Sequence, residues 1–299
     1  MERFLAIVNP AAGGGRCGKL AEEALGRVRQ TGIELEAVRT CTPGEAAAIA
    51  RNAYLNGIRN FIAVGGDGTA YEIVNGIFPE SETKGRASLG FLPLGTGNSF
   101  LNDFTTKGVE HTIKSLNTGK RRACDVIRLI HASGQLYFIN LLSLGFPADV
   151  GKTANRYFKS WGEVGYVLAV LMRVAGLEHR AFPHRPDGAA DWDRRPCLFL
   201  AFSNSKFTGG KMMIAPDADA TDGRIECVRW GAIGRLGLLW NLPRLFTGTH
   251  IEHPLASRAT ASRVEFELDG PVNVMIDGEI LRLECQALEV LPSALDIFA

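Results

Sequence analysis

The sequence predicts two domains: an α/β N-terminal domain with a parallel sheet, followed by a second, β-rich domain of sandwich type. Three observations carry this prediction. Apolar strand-like runs alternate with amphipathic helical runs through the first third of the chain, the pattern of a parallel sheet. Three of those strands end in glycine-rich turns, at Asn9–Gly15, Gly65–Thr69 and Gly95–Ser99. Beyond Cys124 the texture changes to short strands with few helices, which suggests antiparallel pairing. A chain of 299 residues is long enough for two such cores.

The first domain reads element by element. Arg3–Val8 is a strand that ends in Asn9-Pro10 and a run of glycines. Arg16 and Lys19 open a helix whose expected apolar face is Leu20, Ala24, Leu25 and Val28. Ile33, Leu35 and Ala37 alternate as a strand that finishes at Thr40. Thr42-Pro43-Gly44-Glu45 has the form of a capping box with proline at the first helical position, so a helix is expected there, running to Asn56-Gly57. Phe61–Val64 is a buried strand, and Ile73, Val74 and Ile77 form one side of a helix stopped by Pro79. Ala87–Leu94 is the next strand.

The second domain begins near residue 125. Asp125–Ile130 and Leu136–Leu141 read as strands joined through Ala132-Ser133-Gly134. Val164–Val174 is helical, and a polar loop runs from Phe182 to Pro196. Further strands are expected at Cys197–Phe202, Ile225–Trp230, Val264–Leu268, Val272–Ile276 and Ile280–Glu284, with a helix over Gly234–Phe246.

Composition narrows the functional classes. Hydrophobic content of 46% with 22% charge is ordinary for a globular protein, and a net charge of +1 argues against a dedicated nucleic-acid binder. The six cysteines are scattered without a Cys-x-x-Cys pair, as reduced cysteines of a cytosolic protein would be. Met1-Glu2-Arg3 runs straight into Phe4–Val8, too short for the core of a secretory leader. The longest apolar run, Val164–Met172, falls far short of the roughly 20 residues that span a bilayer. A cytoplasmic protein is expected.

The turn Gly65-Gly66-Asp67-Gly68-Thr69 is the most informative stretch. A glycine turn opening a helix lets backbone N–H groups approach a phosphate closely. No Lys-Ser or Lys-Thr follows, so this is not a Walker loop, and the third glycine of a dinucleotide fingerprint is missing. Asp67 is the odd member. A carboxylate beside a phosphate is repulsive unless a divalent cation or a reacting hydroxyl lies between them, which favours phosphoryl transfer.

Other acids are candidates with weaker local support. Asp219 and Asp222, in Asp217–Gly223, either supply oxygens to a hard cation or form an Asp-Gly turn. Asp277-Gly278 reads locally as a two-residue hairpin turn, which leaves Glu279 as a surface residue. Asp125 lies at the domain junction and either organises a site or caps a strand. His250 and His253 lack a third ligand and read as structural histidines.

In ordered blocks, these motifs resemble the diacylglycerol kinase catalytic-domain family, closest to its soluble bacterial lipid kinases. The blocks are Val8-Asn9-Pro10, Thr40 before Gly44-Glu45-Ala46, Gly65–Thr69, Leu92–Asn98, Ala215-Pro216 through Asp222-Gly223, and Asp277-Gly278-Glu279. Gly65–Thr69 alone is shared with NAD kinases, and the later blocks favour the lipid-kinase branch. The resemblance implies a nucleotide-binding domain over residues 1–124, completed by 286–299, and a sandwich lipid-acceptor domain over 125–285. It also implies ATP contacts from Asn9, Thr40, Gly65, Gly66, Asp67, Gly68, Thr69 and Thr96. Asp67 would act through Mg²⁺ with help from Asp125, Asp219 and Asp222 would hold a structural Mg²⁺, and Glu279 would be the general base. Tyr71 and Ser99 depart from the family pattern, which usually has Asn and Asp there, and Asp103 stands nearby.

The implied reaction is transfer of the ATP γ-phosphate to a lipid hydroxyl, foremost that of diacylglycerol. Sphingoid bases, other glycerolipids and NAD are alternative acceptors. A non-catalytic lipid- or nucleotide-binding regulator is the remaining alternative, disfavoured because binding alone needs no base. The expected partners are MgATP and a lipid presented by a membrane surface, met peripherally and reversibly. A homodimer is compatible with the sequence.

Overall fold

Strands buried on both faces set the architecture of the first domain. A computed structural model describes residues 2–105, 107–157 and 162–298. Its first elements are β1 (Arg3–Val8), α1 (Arg16–Arg29), β2 (Glu34–Arg39), α2 (Glu45–Leu55), β3 (Asn60–Gly65), α3 (Asp67–Ile77), α4 (Glu80–Thr83), β4 (Ala87–Pro93) and α5 (Val109–Thr118). The strands pair in parallel in the order β2-β1-β3-β4. Alternate residues of one strand face opposite layers. Phe4, Ala6 and Val8 meet Cys17, Ala21, Leu25 and Leu116 of α1 and α5. Leu5 and Ile7 meet Ala46, Ala50, Ile73 and Val74 of α2 and α3. Helices on both faces explain why β3 is buried at every position.

The second domain continues with β5 (Arg122–His131), β6 (Gly134–Phe138), β7 (Leu141–Gly145), α6 (Phe146–Tyr157), α7 (Gly162–Ala175), β8 (His184–Pro186), β9 (Cys197–Ser203), β10 (Phe207–Thr208) and β11 (Met212–Met213). It ends with β12 (Ile225–Gly231), α8 (Arg235–Asn241), α9 (Arg244–Thr247), β13 (Ala256–Ala261), β14 (Arg263–Phe266), β15 (Val272–Ile276), β16 (Glu279–Leu283) and β17 (Cys285–Ile297). One sandwich layer has the order β13-β12-β9-β7-β15-β16, and the other contains β6, β5, β17, β14 and β8. Ile127, Leu129, Phe138, Leu142, Leu144, Phe202, Val264, Val274 and Leu288 fill the space between them. The outer face of the six-stranded layer is covered by Val174, Leu238 and Leu245 from α7, α8 and α9.

The two domains share backbone. β17 pairs antiparallel with β5 from Cys285 to Ile297, and its last residues, Leu295–Ile297, also pair in parallel with Ala87–Leu89 of β4. One sheet therefore runs through both domains, and the 124/125 division falls inside β5. The register shifts between Leu291 and Leu295, opposite Asp125. Asp125 is fully buried there. Its Oδ1 accepts the N–H of Ser293 at 2.6 Å, and its Oδ2 accepts the N–H of Gly223 at 2.6 Å. Its own N–H donates to the Ala220 carbonyl at 2.7 Å. One carboxylate thus ties a bulge in β17 to the Asp219–Gly223 turn.

Several local expectations are corrected. Leu20 is 39% exposed, and Cys17 and Ala21 take its place on the apolar face of α1. α2 begins at Glu45 rather than Pro43, with Gly44 left-handed before it. Glu45 accepts the N–H groups of Cys41 and Thr42, but the N–H groups of Gly44 and Ala46 are met by Glu72 of α3. The helix expected over Gly234–Phe246 breaks at Leu242-Pro243 into α8 and α9, since proline lacks the N–H that continuation requires. The strand expected over Leu136–Leu141 stops at Phe138, because the N–H groups of Ile139, Asn140 and Leu141 go to a carboxylate instead of a ladder. α6 was not expected.

Asp125→Ala leaves the Gly223 and Ser293 N–H groups buried without acceptors. Urea unfolding is expected to show a loss of about 2–5 kcal/mol; an unchanged midpoint would show that water replaces the carboxylate at no cost.

Candidate active site

Strand ends place the glycine turns side by side. β3 ends at Gly65, and α3 starts at Asp67, so the Gly66–Gly68 N–H groups lie at the positive end of a helix. The turn after β4 lies on it: Gly95 N–H donates to the Gly65 carbonyl at 2.7 Å. A Cβ on Gly95 would fall 2.5 Å from Gly66 Cα, so only glycine permits this approach of two backbones. The turn after β1 joins them through Arg16, which donates to the Gly95 carbonyl at 2.9 Å. Asn9 Oδ1 accepts the Ala11 N–H at 3.1 Å, closing its own turn. Thr40 is buried and donates from N–H and hydroxyl to the Val8 carbonyl at 2.9 and 3.3 Å. Thr96 is exposed at the rim.

Asp67 is held from the neighbouring turn. Its Oδ2 accepts the Ser99 N–H at 2.8 Å, and its Oδ1 accepts the Phe100 N–H at 3.4 Å. Burial pushes its pKa up, against these hydrogen bonds. A nearby divalent cation would restore the charged form. Thr69 Oγ1 is buried, and among the described residues no hydrogen bond reaches it. Close-packed glycine turns, a buried carboxylate and an unpartnered hydroxyl fit a nucleotide phosphate with its Mg²⁺.

The second domain supplies the opposing wall. β15 and β16 form a two-residue hairpin in which Ile276 pairs with Glu279. Asp277 and Gly278 are both left-handed, at φ 47° and 92°, as such turns require. Asp277 is buried, and its carboxylate accepts the N–H groups of Ile139, Asn140 and Leu141 at 3.0–3.1 Å. That grip aims Glu279 across the domains. A Cβ on Gly68 would fall 2.6 Å from Glu279 Oε1, so the carboxylate of one domain lies against the glycine turn of the other. Burial pushes the Asp277 pKa up to about 7, with the Asp67 charge adding to the rise and the three N–H donors opposing it.

Three further ties fix the approach. Asn75 of α3 exchanges hydrogen bonds with the backbone of Tyr137, donating to its carbonyl at 2.8 Å and accepting its N–H at 2.9 Å. Ser99 Oγ accepts the Gly210 N–H at 2.9 Å from the tip between β10 and β11, and Asn102 donates to the Gly210 carbonyl. Asp103 accepts the Lys206 N–H at 3.3 Å and pairs with its ammonium at 3.6 Å. Ser99 and Asp103 thus both contact the second domain. Tyr71 packs into the sandwich core, and burial followed by the charges of Asp277 and Glu279 raises its phenol pKa.

The remaining candidates lie apart from the glycine turns. Asp125 belongs to the seam described above. Asp219 Oδ1 accepts from the N–H and hydroxyl of Thr221, and Asp222 Oδ1 accepts the Arg224 N–H at 2.8 Å. No group of three His, Cys, Asp or Glu forms a metal cluster among the described residues. Burial and the charges of Asp219 and Asp125 raise the Asp222 pKa, the effect of crowded carboxylates. His250 is buried, with Nε2 3.1 Å from the Ile214 carbonyl and its ring 5.6 Å from that of Trp230. The six cysteines are free thiols. No helix among the described residues is long and apolar enough to cross a membrane. Sequence reading missed Arg16 as a bridge between turns and Asp277 as an anchor; the Asp-Gly of a hairpin was the available signal for the latter.

Glycine turns at parallel strand ends, faced by an acidic hairpin from a β-sandwich, define a two-domain kinase architecture. Residues 3–129 match the diacylglycerol kinase catalytic domain, and residues 140–299 match the YegS C-terminal NAD kinase beta sandwich-like domain. A diacylglycerol kinase of Mycobacterium tuberculosis is 27% identical, over 99% of this chain and 94% of its own. A YegS-like lipid kinase of Chromohalobacter salexigens is 33% identical, over 95% of this chain and 91% of its own. A solved diacylglycerol kinase structure from Bacillus anthracis str. Sterne superposes with a TM-score of 0.72 at 19% identity, over 99% of this chain and 96% of its own. This last likeness speaks for the fold. The chain belongs to the diacylglycerol kinase family, with the second domain of the YegS-like lipid kinases.

Asp277 makes stability depend on pH. Its folded pKa lies above the unfolded one, so its contribution is complete below about pH 4 and lost as the pH rises toward about 7. Urea unfolding across this window is expected to show the wild type losing about 1 kcal/mol per pH unit relative to Asp277→Asn. Parallel pH profiles for the two proteins would remove Asp277 as the titrating group.

Proposed function

We propose that the protein transfers the γ-phosphate of ATP to a lipid hydroxyl, with diacylglycerol as the acceptor and phosphatidic acid as the product. The observation that carries this reading is the position of Glu279 against Gly68 at the domain boundary. An alcohol is a poor nucleophile while protonated, and a base must stand at its oxygen. Glu279 takes the hydroxyl proton as the new O–P bond forms and the bond from the γ-phosphorus to the ADP oxygen breaks.

The first domain holds the donor. The N–H groups of Gly66 and Gly68 approach the phosphates, with Gly65 giving clearance and Thr69 Oγ1 available to donate. Asn9, Thr40 and Thr96 border the nucleotide. Asp67, fixed by Ser99 and Phe100, is the residue that would hold Mg²⁺. When bound, the ion neutralises charge on the phosphates. Asp125 supports the site from the seam, since both of its oxygens are engaged there. Such an enzyme works from the cytoplasm and meets its lipid peripherally.

Labelled γ-phosphate offered with mixed micelles of diacylglycerol, monoacylglycerol or sphingosine, and with NAD in solution, tests the reading. Label is expected in phosphatidic acid; label in another acceptor would reassign the substrate, and label in none would overturn the reaction. Glu279→Gln is expected to lower kcat by roughly 10²–10⁴-fold with melting temperature and MgATP affinity nearly unchanged. Near wild-type turnover in that variant would remove Glu279 as the base.

Asp219 and Asp222 fit a structural Mg²⁺ whose remaining ligands are carbonyls and water. Added Mg²⁺ is expected to raise the wild-type melting temperature by linkage, and Asp222→Ala to abolish the rise. An undiminished magnesium response in Asp222→Ala would make the pair an ordinary turn.

A further inference from the structure

The outer helices of the second domain carry side chains that the fold does not use. Trp240 is 85% exposed and Leu236 is 83% exposed, with Leu239 at 41% on the same face of α8 and Phe246 at 56% on α9. Their spacing of three and four residues sets them opposite Leu238, Asn241 and Leu245, which are buried. α7 packs against α8, and its Leu171 and Met172 are exposed as well. Apolar side chains left this far in water contribute little to the core, and grouped exposure of this kind marks an interaction surface.

Charge selects the partner. Arg235 and Arg244 are exposed within the patch, and neither guanidinium pairs with a carboxylate among the described residues. No Asp or Glu occurs between Cys227 and Ile251. A second copy of the chain would bring these arginines against their own counterparts across a two-fold axis, with no acid in the stretch to meet them. An anionic bilayer meets both requirements, taking apolar side chains into its headgroup–acyl boundary and cations at its phosphates.

The patch also connects to the candidate active site. α9 packs against β11, and a Cβ on Gly248, the residue after α9, would fall 2.9 Å from Met213 Sδ. The tip between β10 and β11 carries Gly210 to Ser99, one residue past the Gly95–Asn98 turn. A single short hairpin spans from the patch to the glycine turns.

We propose that α8 and α9 form the face by which the protein docks on an anionic lipid bilayer, with Leu236, Leu239, Trp240 and Phe246 entering the boundary region and Arg235 and Arg244 meeting lipid phosphates. The choice of a bilayer rests on the lipid-kinase reading, but the docking is measured without ATP or turnover. Vesicles of phosphatidylcholine and phosphatidylglycerol in equal amounts are the probe, with and without bromine on the acyl chains. Bromolipid is expected to quench the wild-type tryptophan fluorescence, and Trp240→Phe to lose most of that quenching. Leu236→Ser/Trp240→Ser is expected to partition about ten-fold or more weakly, with its melting temperature and its activity on a short-chain, water-soluble diacylglycerol unchanged. Arg235→Gln/Arg244→Gln is expected to weaken binding to the anionic vesicles and leave the weaker binding to pure phosphatidylcholine as it was.

Wild-type partition by the serine variant, or equal quenching in Trp240→Phe, would overturn the proposal. So would a wild-type dimer in sedimentation that the serine variant dissolves, since the occupant would then be a second copy. Vesicle binding that follows these substitutions, in a protein that labels no lipid, would uphold the docking face and count against the phosphotransfer reading alone.

Discussion

Two antiparallel strands carry the relation between the domains. β5 and β17 pair along nearly their whole length, and the end of β17 closes the parallel sheet while its beginning closes the sandwich. Domains joined by a flexible linker move relative to one another by default. Here one hydrogen-bonded sheet runs through both domains, and the hairpin that carries Glu279 belongs to the sandwich layer packed on it, so relative displacement of the domains must bend that sheet. The bulge opposite Asp125 is one of two irregularities in this pairing, and the Asp125 carboxylate binds the bulge on one side and the Asp219–Gly223 turn on the other.

On this frame the position of Glu279 is a chain of short-range causes. Two left-handed residues turn the hairpin, and the three N–H groups on Asp277 fix the turn to the β6–β7 connection. Asn75 then clamps α3 to Tyr137 at the end of β6, beside that connection. Gly68 and Glu279 are thus placed by two anchors that meet over the same few residues. The burial that makes Asp277 a good anchor also makes its carboxyl hard to ionise, and its proximity to Asp67 adds to that.

Much of this was legible in the sequence wherever the cause was local. The turn at Gly65–Gly68 was readable because the strand, glycines and helix are contiguous. The parallel sheet followed from alternation, and the hairpin at Asp277-Gly278 from its dipeptide. The start of α2 was misread because its N–H groups are met by Glu72, a residue of the next helix. Asp125 and Asp277 were visible as acids, but their partners are main-chain N–H groups, which no residue letter records. The meeting of Glu279 with Gly68 needed the family resemblance, since nothing within either segment encodes a contact across two domains. Ser99 looked like a departure from a nucleotide motif, yet its hydroxyl accepts the Gly210 N–H from the second domain.

The placement of β17 has a consequence for how the molecule is made. Leu295–Ile297 supply the neighbour of β4, and Phe298 lies beneath Phe4 with ring centroids 5.5 Å apart. During synthesis the first domain emerges long before this segment does. Until residues 285–297 leave the ribosome, β4 presents an apolar, unpaired edge, the kind of surface that recruits other chains. The nascent first domain therefore keeps this edge open throughout translation of the second. Its sheet is complete only once residues 295–297 have been released.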